Sequence, residues 1–134
     1  MGSTVQPVID AFARFRTTWP RRGWSFDNRF QCVASTIDAD FAPQARLLIA
    51  PMLPLAFSER TVQTATPLVR HVASRTGGLR AAQMIFAADP VDYVMAYGLW
   101  WPWEEAQTIS IRLGLEGATQ DDLFELCTVF GAEQ

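Results

Sequence analysis

The sequence predicts an α+β fold, a two-layer domain in which an antiparallel sheet carries helices packed on one face. Three observations support it. Residues 4–19 repeat apolar side chains at helical spacing, residues 81–115 alternate as a run of three strands, and the segment from Thr119 returns to helical spacing behind a capping signal. The order is therefore α, two or three strands, α, three strands, α, an order that sets helices against an antiparallel sheet.

The opening helix is marked by Val5, Val8, Ile9, Phe12, Phe15 and Trp19, with Pro7 in its first turn and Pro20 as its stop. Gly23-Trp24-Ser25-Phe26 then alternates as a strand, and Asp27-Asn28 signals a turn. Phe30, Cys32, Ala34 and Thr36 alternate with Arg29, Gln31, Val33 and Ser35 in a second strand. Gln44 to Ala50 is expected as a third strand, its continuous Leu47-Leu48-Ile49 suggesting burial on both faces, with a helix as the alternative. Ser58 is a candidate helix cap and Thr66-Pro67 a stronger one, so one kinked helix or two helices cover 58–76, ending at Gly77-Gly78.

Strands are expected at 81–88, 92–100 and 107–115, the first pair turned by Asp89-Pro90. In the last of these, Ile109, Ile111, Leu113 and Leu115 point one way and Thr108, Ser110, Arg112 and Gly114 the other, an antiparallel strand with one wet face. The closing helix runs from Thr119, with Asp122 completing a capping-box pattern, to Phe130, and Gly131 ends it.

Length and composition set bounds on function. A chain of 134 residues, 49% hydrophobic and 19% charged, is the size of one domain and holds enough apolar matter for a core without staples. Its longest apolar runs are far below the roughly 18 residues of a membrane span, and no charged segment precedes an apolar one at the N-terminus. The expectation is a cytoplasmic protein without membrane contact. Cys32 and Cys127 are expected as buried thiols, and neither has a Cys or His at zinc-finger spacing, so neither a metal nor another cofactor is expected. All eleven basic residues are arginine, which suggests a GC-rich bacterial genome before it suggests selection for bidentate anion pairing.

The familiar reactive patterns fail on spacing. His71 is the single histidine, and a Cys–His pair would need one of two cysteines that occupy no helix start or loop. Asp38 and Asp40 lack the Gly and the later Glu of a calcium loop. Gly77-Gly78 follows a helix and precedes a strand, the reverse of a phosphate loop.

The informative stretch is Leu99-Trp100-Trp101-Pro102-Trp103. Neighbouring Trp100 and Trp101 face opposite sides of a strand, so either both faces are covered or an aromatic surface is left for an interface. Residues 1–30 carry a charge of +3 and residues 104–134 a charge of −6, an asymmetry that pairs within the fold or orients a dimer or partner. With an overall charge of −3, nucleic acid is disfavoured, although Arg21-Arg22-Gly23-Trp24 suits a phosphate or an acidic peptide.

The layout of amphipathic opening helix, Thr66–Gly78 helix running into a strand meander, and Thr119-Gln120-Asp121-Asp122-Leu123 closing helix resembles the bacterial specialised-secretion chaperones and the related YbjN-like domains. The Trp-rich segment and the long strand at 107–115 depart from that layout. The resemblance implies a homodimer that holds a partner chain on an apolar surface without doing chemistry.

The residues themselves lead to a similar expectation: a non-catalytic protein-binding module, dimeric, with Trp100, Trp101, Trp103, Trp19, Trp24, Arg21 and Arg22 at its interface. The alternative is a small-molecule site or enzyme, with Met84, Tyr93, Met95, Tyr97 and Trp100 lining an apolar pocket in a curved sheet and Asp92 or His71 as its polar group.

Overall fold

The structure, a computed structural model, describes residues 5–20, 23–103, 105 and 107–132. Among the described residues four α-helices, α1 (Gln6–Thr18), α2 (Ala42–Ile49), α3 (Pro67–Arg75) and α4 (Gln120–Phe130), accompany six strands. The strands are β1 (Ser25–Asp27), β2 (Cys32–Asp38), β3 (Leu55–Ser58), β4 (Met84–Ala87), β5 (Met95–Trp103) and β6 (Thr108–Glu116). They form one antiparallel sheet in the order β1-β2-β6-β5-β4-β3, which bears out the predicted α+β class.

Burial along β5 explains how the helices are distributed. Every residue from Met95 to Trp101 is buried, so the strand needs cover on both sides. On one face Ala96 and Trp100 join Val33, Ile37, Phe86 and the Ile109/Ile111/Leu113/Leu115 row of β6 beneath α1, α2 and α4. On the other, Met95, Tyr97, Leu99 and Trp101 join Ile85, Ala87 and Cys32 beneath Val69, Val72 and Ala73 of α3. Three helices thus share one face and α3 covers the second, a placement that element order does not distinguish.

Three local expectations are corrected. Residues 44–50 are helix, not strand: Pro43 sits in the first turn of α2, and Ala45 and Ile49, one turn apart, are buried while Leu47 is 74% exposed. The apolar run is therefore one-sided. Ser58 caps no helix; it ends β3, whose register pairs Leu55 with Ala87 and Ser58 with Met84. The Ser58 amide donates to Thr61 Oγ1 at 2.8 Å in the turn that follows, and the helix starts at Pro67, as the Thr66-Pro67 signal predicts. The reversal between β4 and β5 lies at Asp92-Tyr93, inside the Val91–Val94 bridge, beyond the expected Asp89-Pro90.

α4 has the predicted ends. Thr119 accepts from the Asp122 amide at 3.2 Å, Asp122 accepts from the Thr119 amide at 3.3 Å, and Gly131 closes the helix at φ +67°.

Candidate functional site

α3 has nine residues and covers only part of its face. Beyond its C-terminal end the sheet is left to Phe30, Trp101 and Arg112, and a recess of about 320 Å³ opens there. Its lining comes from the β1–β2 turn (Asp27, Arg29, Phe30), the segment after α3 (Thr76, Gly77, Gly78, Arg80, Gln83), the end of β5 (Trp101, Trp103) and Arg112 on β6.

The recess is held by a few contacts. In the β1–β2 turn Asp27 Oδ1 accepts the amides of Arg29 and Phe30 at 2.9 and 3.2 Å, which fixes the loop that carries both side chains. Arg112 lies opposite Ala34, which lies opposite Ser25, so the long side chain crosses a small residue and reaches from β6 to β1. There its Nε donates to Asp27 Oδ2 at 2.7 Å, while its Nη1 donates to Ser110. The same guanidinium lies 4.6 Å from the Trp101 ring centre, and Phe30 meets Trp101 edge-on at 5.7 Å. Arg29 stacks on the Phe30 ring at 4.7 Å.

Burial pushes the Asp27 carboxyl up, but the hydrogen bond from Arg112, the amide donors and the Arg112 charge outweigh it, so the group ionises below its ordinary 3.8. Three arginines against this one aspartate leave the lining at +2. Neither Arg29 nor Arg80 has a carboxylate partner among the described residues. Trp101 is 8% exposed, and its indole N–H is buried without a hydrogen-bond partner. Guanidinium, indole and amide groups of this kind bind and orient a ligand; they do not form a nucleophile–base pair.

A second polar network lies deeper under α3. Arg75 donates through Nε to Glu116 at 2.9 Å, through Nη2 to the Tyr97 hydroxyl at 2.8 Å and through Nη1 to the Phe30 carbonyl at 3.3 Å. Tyr97 fits because its partner across the strands is Gly114, where a Cβ would stand 2.5 Å from the phenol oxygen. Burial raises the Tyr97 pKa and pushes the Cys32 thiol up to about 12. Cys32 and Cys127 are buried in the cores on opposite faces of the sheet, both as free thiols. His71 is on the exposed side of α3 and bonds to neither thiol. Among the described residues no cluster of His, Cys, Asp and Glu could hold a metal ion, and no helix is long and apolar enough to cross a membrane.

The predicted interface residues do not form one surface. Trp19 and Trp24 are buried with Phe15, Phe41 and Phe130 between α1 and α4. Trp100 is 6% exposed under α2, against Phe86 and Arg46, and Trp101 is on the opposite face. Trp103, 54% exposed, is the one tryptophan at the surface, and it stands at the recess. Arg21 and Arg22 lie outside the described residues. The residues of the alternative pocket are also scattered. Met95 and Tyr97 are sealed beneath α3, Met84 is on the other face, and Asp92 and Tyr93 are at an exposed hairpin tip.

Arg29, Phe30, Arg80, Gln83 and Arg112 were not singled out by sequence reasoning. One signal was present: an arginine at the middle of a strand, on a side otherwise Thr, Ser and Gly. That side, expected to be wet, is buried at Ser110 and Gly114 because the second face of the sheet is also covered. The chain matches no family model, no curated protein and no solved structure.

Proposed function

We propose that the protein is a non-catalytic binding module that engages another protein through the recess and the exposed indole of Trp103. One observation carries the reading. A half-exposed tryptophan and two arginines without carboxylate partners among the described residues share one surface opening. Tryptophan and arginine are the residues that dominate binding hot spots, and a charged rim steers a complementary partner. The chaperone-like, homodimeric form of this reading is supported by the topological resemblance and the opposite charges of the two ends. A bacterial, cytoplasmic setting is supported by the arginine-only basic set and the short apolar runs.

Trp103→Ala is the direct test, because an exposed ring can be removed without opening a core. The variant is expected to keep the parent's stability within about 0.5 kcal/mol. It is also expected to lose association in sedimentation and in affinity capture from the native cell. Undiminished association of the folded variant would sink the proposal. The small-molecule reading is favoured by the recess volume, at the low end of ligand pockets, and predicts a raised melting temperature with a ligand from a broad panel.

A further inference from the structure

We infer that the recess is a site for a phosphomonoester group, clamped by Arg29, Arg80 and Arg112. The inference rests on the recess being the partner-binding site and names the chemistry that it takes. Charge comes first. The lining carries +2, which matches the roughly −1.5 to −2 of a phosphomonoester at neutral pH and exceeds the single charge of a carboxylate. Geometry comes second. Guanidinium groups present paired N–H donors that fit phosphate oxygens, and Arg112 is held by Asp27, Ser110 and the Trp101 ring with its Nη2 left without an acceptor among the described residues.

The third observation concerns an indole. Trp101 lines the recess, is more than nine-tenths buried, and has an indole N–H with no acceptor. Trp19 and Trp24 leave the same N–H open in the core, so it is the place of the Trp101 ring on the recess wall, against Arg112, that makes its indole a reporter of a bound anion. The volume of about 320 Å³ also exceeds that of a phosphate, leaving room beside Trp103 for the group that bears it.

The test is a titration of the full ¹⁵N-labelled chain with N-acetyl-phosphoserine amide, glucose 6-phosphate and unphosphorylated N-acetyl-serine amide, following the Trp101 indole N–H. A saturable shift is expected with a phosphorylated probe and none with the serine amide. Arg29→Ala/Arg80→Ala, with Arg80→Gln as a milder second variant, should weaken binding about tenfold or more. Affinity should fall as the pH drops below about 6, where the phosphate loses its second charge. No indole shift with either phosphorylated probe, or equal affinity in both variants, overturns the inference. Binding of glucose 6-phosphate without the phosphoserine amide keeps the phosphate site and removes the protein-partner reading. Loss of partner capture by Trp103→Ala with no phosphate binding does the reverse.

Discussion

Tyr93 occupies an unusual backbone position for its side chain. It and Asp92 are the central residues of the tight reversal between β4 and β5, at φ +67° and +52°. A two-residue turn with both central φ values positive matches the twist of the flanking strands, and Asn-Gly is its usual sequence. A tyrosine there crowds its own backbone and, at 87% exposure, recovers little by packing. The turn is further confined by Gly117 at φ +85°, where a Cβ would stand 2.6 Å from the Tyr93 carbonyl oxygen. Tyr93→Gly is therefore expected to stabilise the fold by about 1 kcal/mol in urea denaturation. A loss of stability would show that the exposed ring makes a contact worth more than the strain. The same scale explains Trp101: its neighbours are legible in sequence only as single arginines and aromatics, because what matters is the stack of Arg112 on its ring across two strands.

At the scale of elements, those with local signals were legible and those decided by neighbours were not. The two ends of α4 follow from Thr119, Asp122 and Gly131, whose hydrogen bonds are made within a few residues of each other. Thr119→Ala removes the acceptor for the Asp122 amide and is expected to cost about 1 kcal/mol, read as a lowered urea midpoint with an unchanged slope. A neutral result would mean that water satisfies the helix end. α2 was ambiguous because Leu47-Leu48-Ile49 is too short for its period to separate helix from a doubly buried strand. β3 has four residues, half of them exposed, so it carries no alternation to detect; its pairing with β4 places it.

The whole molecule is organised by a sheet that is apolar at its centre on both faces, and the ion pair between Asp27 and Arg112 belongs to this scale, since it joins residues 85 apart across β2. Because the Asp27 pKa is lower in the fold than the ordinary 3.8, its pairing contributes stability above that value and loses it as the pH falls through the folded value. Asp27→Asn should thus be less stable than the parent at neutral pH, with the gap closing as urea midpoints are measured to lower pH. A gap independent of pH would assign the loss to the turn amides. By itself the sequence determined the α+β class, the opening and closing helices, the three-strand run, and that Trp100 and Trp101 part to opposite faces, since these follow from periodicity and from hydrogen bonds between near neighbours. Only the tertiary structure decided that α3 takes the second face, that four of five tryptophans are interior, and that Arg29, Arg80 and Arg112 line one recess with Trp101. Those outcomes depend on which faces are left uncovered once the strands pair, and side chains brought together across a sheet leave no spacing in the chain to announce them.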